Sequence, residues 1–539
     1  MTKQQDNKTS YFLGAEDLGI ESITVGELLR RTANAASDSP ALTVYGEHVD
    51  VPPVTLSYAQ LLEKSEIYAT SLLQHFDPGD SVAIWLPNCA EWPLIQFGAA
   101  LAGLVLVTVN PASTDREVAY VLDQSEVKGI VCCQQYRGID IAGTANTLAD
   151  QRTQLHTVLC VESWSDELKE VRPDVSAFPV VTADQPAMIQ YTSGTTGNPK
   201  GAILSHKGLV NSSRRGEVRF ALDAGSIWLN VMPMFHTGGC VFMTLGCLWN
   251  RGLQVMLPGF DPGMMLYALD KDKVNYTTMV PTMVVRVMEH PEFGEADLSQ
   301  LKLVSAGGSA IAPSIVNAIE SKFGADFMMI FGQTEACGTL CTSLREDTIE
   351  HRTETIGTPI PNTEVCIMST NSDEILPVNE IGEICVRSEF LFTGYFGMEE
   401  ETSKAFTGDG WYRTGDLGEM LGDGYLRITG RSKDMIIRGG ENIYPREVED
   451  LLVSHDDIAE AAVFGIPDAE WGEQVVAAVR PVDHAEINTD DIRDFLLSKL
   501  ARFKVPKFWW ETDSFPTTAS GKVQKHVLRD NYMEMENKS

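Results

Sequence analysis

The segment Tyr191-Thr192-Ser193-Gly194-Thr195-Thr196-Gly197-Asn198-Pro199-Lys200-Gly201 places three glycines and four Ser or Thr hydroxyls between an incoming strand pattern and a strand-like run at Ala202 to Leu204. A turn of this composition can fold its backbone N–H groups and hydroxyls around phosphate oxygens, with Lys200 adding positive charge. A surface loop without function is the plain alternative, and the clustering speaks against it. The segment is not a P-loop. That motif requires Gly-Lys followed by Ser or Thr, and here Pro199 precedes Lys200. A P-loop kinase or ATPase is therefore disfavoured.

Around this turn, short apolar runs alternate with helical patterns from about Leu56 onward. Ser81-Val82-Ala83-Ile84-Trp85-Leu86 reads as a buried strand, Ala90 to Leu101 as a helix and Leu104 to Val109 as a second strand. Strand–helix–strand order predicts parallel sheets covered by helices. Lys302 to Ser305 repeats the theme, with a glycine-rich turn after it and Pro313 where a first helical turn begins. Gly418 to Ile428 reads as a hairpin turning at Gly422-Asp423-Gly424. Beyond Arg431 a new unit starts, with strands at Ala461 to Phe464 and Val475 to Val479 and a helix at Asp490 to Leu500. The expected fold class is α/β. A large N-terminal domain has parallel sheets covered by helices plus a β-rich subdomain, and a small mobile α+β C-terminal domain follows. The expected boundaries are a mobile N-terminus at residues 1–20, a large nucleotide- and acid-binding domain at 21–431, a hinge at 432–434 and a lid at 435–539.

At 539 residues the chain is too long for one compact core, and its 43% hydrophobic content is that of a globular protein. No run of about 18 apolar residues marks a membrane span. Met1 to Ser10 lacks the apolar stretch of a secretory signal. The ten cysteines include no Cys-x-x-Cys pair, which argues against a disulfide framework or a zinc site and points to a reducing cytoplasm. The formal charge of −33 argues against nucleic acid and anionic membranes as partners, and reads first as a solubility feature.

The turn at 191–201 resembles the phosphate-binding signature of the adenylate-forming (AMP-binding) enzymes, a family of acyl-CoA synthetases, beetle luciferases and peptide-synthetase adenylation domains. Segments similar to the family's other motifs follow in the family's order, over about Thr24 to Arg529. The resemblance implies that Thr192, Ser193, Gly194, Thr195, Thr196, Gly197 and Lys200 hold the phosphates of ATP. Met232-Pro233-Met234-Phe235-His236-Thr237-Gly238-Gly239 resembles the motif whose histidine, here His236, borders the acid pocket and helps arrange the carboxylate. Ser305-Ala306-Gly307-Gly308-Ser309 resembles the loop that packs on adenine, where small residues let a flat ring approach the backbone. Phe331-Gly332-Gln333-Thr334-Glu335 is similar to the family's Tyr-Gly-x-Thr-Glu. Phe331 keeps the stacking face of the usual tyrosine and lacks its hydroxyl. By this resemblance Thr334 meets the α-phosphate, and Glu335, with Thr196, meets Mg2+.

Gly410-Trp411-Tyr412-Arg413-Thr414-Gly415-Asp416-Leu417 resembles the segment whose aspartate, here Asp416, grips the ribose hydroxyls. The stretch Gly430 to Pro445 matches the family's inter-domain segment. There Arg431 contacts ribose or phosphate, Lys433 stands at the hinge, and Arg438, Gly439 and Gly440 border the path of the pantetheine arm. Pro516-Thr517-Thr518-Ala519-Ser520-Gly521-Lys522 resembles the C-terminal loop that carries a catalytic lysine, Lys522.

The activity implied is that of an acyl-CoA synthetase, converting ATP, a carboxylic acid and CoA into acyl-CoA, AMP and pyrophosphate through an acyl-adenylate. ATP, Mg2+ and coenzyme A are the cofactors and co-substrates. By the same resemblance the acid pocket involves His236, Thr237, Ala306, Ile330, Gly332, Cys337 and Gly338, none with a fixed charge. An uncharged hydrophobic acid follows, whether medium-chain fatty, aryl or ring-derived. The partners are small molecules, with no nucleic acid and no integral membrane association, and a homodimer is left open. Rival readings are an acyl-AMP ligase that loads a carrier protein, a luciferase-like oxygenase, and a nucleotide-binding regulator that never turns over.

Overall fold

The computed structural model describes residues 8–15, 18–46, 48, 51–192, 199–307, 311–439, 441–468, 470–482, 487–517 and 523–536. Among them, Ser81–Trp85 is an interior strand of a seven-stranded sheet in the order Gly394–Tyr395, Lys200–Ser205, Pro186–Thr192, Val105–Thr108, Ser81–Trp85, Gly129–Cys132 and Thr157–Cys160. The five strands from Pro186–Thr192 to Thr157–Cys160 run parallel. All five residues of Ser81–Trp85 are buried, and Val82 to Trp85 make the continuous apolar run expected of a parallel sheet covered on both faces. The helix Glu91–Ala102 is buried nearly all round and stops at Gly103, whose φ of +69° suits glycine.

A nine-stranded sheet lies in the order Thr358–Pro359, Gly338–Thr342, Asp326–Gln333, Leu303–Gly307, Tyr276–Thr278, Ile227–Asn230, Leu253–Met256, Pro40–Val44 and Val54–Ser57. Its centre is parallel and both edges are antiparallel. The sheets are thus mixed rather than purely parallel. The exceptions have a local cause: after 191–201 the chain returns as a hairpin, Thr192 opposite Lys200, without a crossover helix.

A third, antiparallel sheet runs Tyr11–Leu13, Glu364–Met368, Gly382–Arg387, Tyr412–Met420 and Leu426–Arg431. Within the stretch 1–20 expected to be mobile, Tyr11–Leu13 forms a strand. Tyr11, Phe12 and Leu13 pair with Cys366, Val365 and Glu364, and the Tyr11 hydroxyl donates to Glu364 at 2.7 Å. The pairing completes hydrogen bonds along a sheet edge. After Arg431 the chain builds a further sheet from Ile436–Arg438, Glu441–Ile443, Ile458–Asp468, Gly472–Pro481 and Phe508–Glu511, with its own apolar cluster around Val448, Val463, Val475 and Leu496. Among the described residues no helix is long and apolar enough to cross a membrane.

Candidate active site

The two ends of the 191–201 turn are described, and residues 193–198 (Ser193, Gly194, Thr195, Thr196, Gly197 and Asn198) lie outside the described residues. Thr192 and Lys200 face each other across the hairpin, with Thr192 Oγ1 3.5 Å from Lys200 O. The Lys200 ammonium pairs with the Glu401 carboxylate and stands 4.9 Å over the Tyr395 ring.

The strand Asp326–Gln333 delivers the next group. A Cβ on Gly332 would fall 2.0 Å from Gly338 O, so glycine is what lets the two strands close here. Phe331, just before it, packs on the apolar cluster of Ala336, Leu340 and Ile384. Gln333 then joins two strands that are distant in sequence. Its Nε2 donates to Asp416 Oδ2 at 2.5 Å and to Thr414 O at 3.1 Å, and its Oε1 accepts from the Tyr412 hydroxyl at 2.9 Å. Asp416, only 3% exposed, lies opposite Arg431 in the hairpin, and Arg431 Nε is 3.0 Å from Asp416 Oδ1.

Thr334 is buried. Glu335 Oε1 accepts from the Tyr395 hydroxyl at 2.9 Å. Burial pushes the Glu335 carboxyl up from its ordinary range, against the pull of its backbone and Tyr395 hydrogen bonds and of the Arg431 charge. Lys433, in the short 3-10 turn Ser432–Asp434, is pulled down by burial and by Arg431, with its neighbour Asp434 and then Asp416 and Glu335 acting the other way. These carboxylates and the two cations therefore share one electrostatic neighbourhood. Among the described residues no group of three or more His, Cys, Asp or Glu is placed to hold a metal. A single buried carboxylate still fits Mg2+, which takes one or two carboxylates together with phosphate oxygens and water. Thr196, the other metal candidate, lies outside the described residues.

The acid-pocket candidates divide. His236 Nδ1 accepts from Gly238 N at 3.0 Å at the start of a π-helix, Gly238–Met243, a form that recurs at functional sites. Thr237 is buried, Ile330 and Gly338 are half-buried and Gly332 is exposed. Ala306 and Cys337 sit inside apolar clusters. Cys337 holds a φ of +54°, with its thiol 2.6 Å from where a Cβ on Gly208 would stand. Of the adenine-loop residues, Gly307 lies against Ile330, while Gly308 and Ser309 lie outside the described residues.

Farther on, Arg438 Nε donates to Gln474 Oε1 at 2.9 Å, and its guanidinium stands 4.9 Å from the Trp471 ring. Gly439, at φ +62°, donates to Trp471 O at 2.7 Å, and a Cβ there would come 2.8 Å from the indole. Trp471 is 42% exposed, an unusual setting for an indole. Gly440 and Lys522 lie outside the described residues. Sequence reasoning gave no role to Gln333, Tyr395, Glu401, Tyr412 or Trp471. Gln333 and Tyr412 lay inside segments quoted for a site, Gln333 as the variable position of its motif.

The AMP-binding enzyme family matches residues 29–396, and the AMP-binding enzyme C-terminal domain matches residues 447–522. The chain belongs to the AMP-binding enzyme family. It is 34% identical over 550 residues to YngI of Bacillus subtilis (strain 168), named provisionally as an acyl-CoA synthetase, covering 96% of this chain and 98% of YngI. It is 33% identical over 554 residues to the mitochondrial medium-chain acyl-CoA ligase ACSF2 of Homo sapiens, covering 97% of this chain and 89% of ACSF2. ATP-bound MatB from Rhodopseudomonas palustris superposes with a TM-score of 0.85 at 28% identity, over 95% of this chain and all of MatB. Apo MatB, at the same identity and coverage, superposes at 0.75, so the chain as a whole lies nearer the ATP-bound form. This family member is an AMP-forming acid–CoA ligase, using ATP with Mg2+ and coenzyme A as co-substrate.

Proposed function

We propose that this AMP-forming ligase activates a medium-chain, uncharged hydrophobic acid in a reducing compartment such as the cytoplasm. The observation that carries the acid assignment is the candidate pocket itself. Around His236 it offers Thr237, Ala306, Ile330, Gly332, Cys337 and Gly338, with no charged side chain for a second carboxylate or an ammonium group. The 33% identity to a medium-chain acyl-CoA ligase supports the same choice. All ten cysteines are free, in keeping with the compartment.

In the first half-reaction a carboxylate oxygen attacks the α-phosphorus of ATP, and the bond to pyrophosphate breaks. Both reactants are anions, so the work is positioning and charge screening. Thr192 and Lys200, with the turn between them, hold the phosphates. Asp416 accepts from the ribose hydroxyls, with Arg431 beside it, and Thr334 donates to the α-phosphate. Phe331, Gly332 and Gly307 to Ser309 border the adenine. Glu335 and Thr196 would hold Mg2+, which would supply neutralising charge on the phosphates. His236 borders the acid, and Lys522 bridges its oxygen and the α-phosphate.

In the second half-reaction the CoA thiol attacks the acyl carbon, AMP leaves and the thiol proton passes to solvent. Residues 21–431 and 435–539 act as two bodies turning about 432–434, so that Lys522 gives way to the face of Arg438, Gly439 and Gly440. The Trp471 indole packed on Gly439 supports that face as a narrow passage, because any side chain at 439 would meet the ring.

The test is an acid panel with ATP, Mg2+ and CoA, read by mass spectrometry of thioesters. Octanoate and decanoate are expected to lead benzoate, acetate, dicarboxylates and amino acids. Turnover confined to a dicarboxylic or amino acid overturns the acid assignment. Lys522→Ala should abolish adenylation and largely spare thioester formation from a supplied acyl-adenylate. Equal loss in both refutes the role given to Lys522.

A further inference from the structure

The helix Asp115–Gln124 reaches both ends of the phosphate turn. Its start is fixed by a capping box, in which the Thr114 hydroxyl accepts from Glu117 N and the Glu117 carboxylate accepts from Thr114 N. On one face, Tyr120 Oη donates to Pro199 O at 3.0 Å, just before Lys200. Four residues on, and so on the same face, Gln124 bonds in both senses. Its Oε1 accepts from the Tyr191 hydroxyl, and its Nε2 donates to Phe396 O. Tyr191 directly precedes Thr192, and Phe396 N donates to Gly201 O at 2.8 Å. The Tyr120 and Tyr191 rings meet edge to face at 6.3 Å. A Cβ on Gly201 would stand 3.2 Å from Gln124 Oε1, so the amide lies close against the strand.

One helix face thus ties together three chain ends that converge at the turn: the end of Pro186–Thr192, the start of Lys200–Ser205 and the residue after Gly394–Tyr395. Neither Tyr120 nor Gln124 is hydrogen-bonded to the Gln333–Asp416–Glu335 group.

We infer that Tyr120 and Gln124 are positioning residues for ATP: they hold Thr192 and Lys200 at the separation that lets the turn receive the departing pyrophosphate. This rests on the reading above that the turn binds phosphates. The second half-reaction contains no pyrophosphate, so it does not feel the clamp.

In Gln124→Glu the ionised side chain still accepts from Tyr191 but no longer donates to Phe396 O. Tyr120→Phe removes one hydroxyl from a half-buried site and leaves the ring packing intact. For Gln124→Glu the KM for ATP is expected to rise about 10-fold, as losing a hydrogen bond to a part-buried carbonyl implies. For Tyr120→Phe the expected rise is about threefold. The KM for the acid and the rate of thioester formation from a supplied acyl-adenylate should stay within about twofold of the unmodified enzyme. Unchanged ATP dependence in both variants, or equal losses in both half-reactions, overturns the inference, the second because it marks general disturbance of the fold. Lys200→Ala and Thr192→Ala separate this failure from failure of the underlying reading. If they leave the KM for ATP unchanged, the turn is not the phosphate site. If they raise it and the helix variants do not, the positioning inference alone fails.

Discussion

Asp416→Asn tests the ribose contact through one atom. The carboxylate is almost fully buried and already accepts from Gln333 Nε2 at 2.5 Å and faces Arg431 Nε at 3.0 Å. Asparagine keeps the shape, loses the charge and turns one acceptor into a donor. Gln333 cannot flip to compensate, because its amide also accepts from Tyr412 and donates to Thr414 O. The asparagine oxygen must therefore face Gln333, leaving its NH2 toward Arg431 and the nucleotide. A hydrogen bond to a charged acceptor contributes about 1–2 kcal/mol more than one to a neutral acceptor, so kcat/KM for ATP in adenylation should fall about 5–30-fold. Arg431, 35% exposed, returns to water when its partner is neutralised, so the thermal midpoint should move by only a few degrees, on the order of 1 kcal/mol. The decisive assay is pyrophosphate release with ATP, 2′-deoxy-ATP and 3′-deoxy-ATP. The unmodified enzyme should lose about 10-fold on one or both deoxy analogues, and the Asp416→Asn variant less than about threefold. If the variant discriminates against the deoxy analogues as strongly as the original, Asp416 does not hold the ribose.

Burial raises the Glu335 carboxyl, so the folded metal-free protein binds that proton more tightly than the unfolded chain and loses stability as pH rises through the raised value. Glu335→Gln should therefore melt no lower than the original in calorimetry at pH 8 without Mg2+, while its Mg2+ requirement for adenylation rises roughly 10-fold. Burial holds His206 down at about 4 from 6.5, with Nδ1 accepting from Val25 N at 3.3 Å. That depressed value contributes stability present above 6.5 and lost as pH falls through 4, at most about 3 kcal/mol, and His206→Gln should remove that part of the pH slope in urea unfolding. The fully buried Arg215 donates to Pro361 O, Leu18 O, Gly19 O, Asn211 O and the side-chain oxygens of Asn211 and Asn362. Arg215→Met should cost about 3–5 kcal/mol in the same assay, and a loss below about 1 kcal/mol would show that those carbonyls find other donors.

What the sequence made legible follows from how locally each signal is encoded. Ser81–Trp85 announces itself because a strand buried on both faces is apolar along almost its whole length, here from Val82 to Trp85. Pro313 marks its helix because the missing N–H costs nothing at a first turn. The hub at Gln333 could not be read this way. Its partners Tyr412 and Asp416 lie 79 and 83 residues away, and only the folded sheet brings them to it. The pairing of Lys200 with Glu401, 201 residues on, and of Tyr11 with Glu364, 353 residues on, is hidden for the same reason. Ala306 and Cys337 show a different limit. A small residue beside a ligand and a small residue in a close-packed interior look identical in sequence, and both of these are buried in apolar clusters.

The net charge of −33 raises the question of how such a chain receives a polyphosphate at all. Two cations of the site already have carboxylate partners: Lys200 rests on Glu401, and Arg431 on Asp416. At these two residues, binding of ATP at the proposed site would exchange partners rather than fill vacant charges. Exchange is cheap at Lys200 because the Glu401 side chain is 37% exposed and can be rehydrated when the ammonium turns to phosphate. It is costly at Arg431, because Asp416 is buried and would be left ionised without its partner. On the proposed roles this asymmetry would divide the labour: Lys200 would follow the phosphates, whereas Arg431 would stay with Asp416 and present the pair to the ribose as a unit. The excess negative charge elsewhere is screened over a Debye length of about 8 Å at physiological salt, so ATP approaching the site responds to these local pairs more than to the sum.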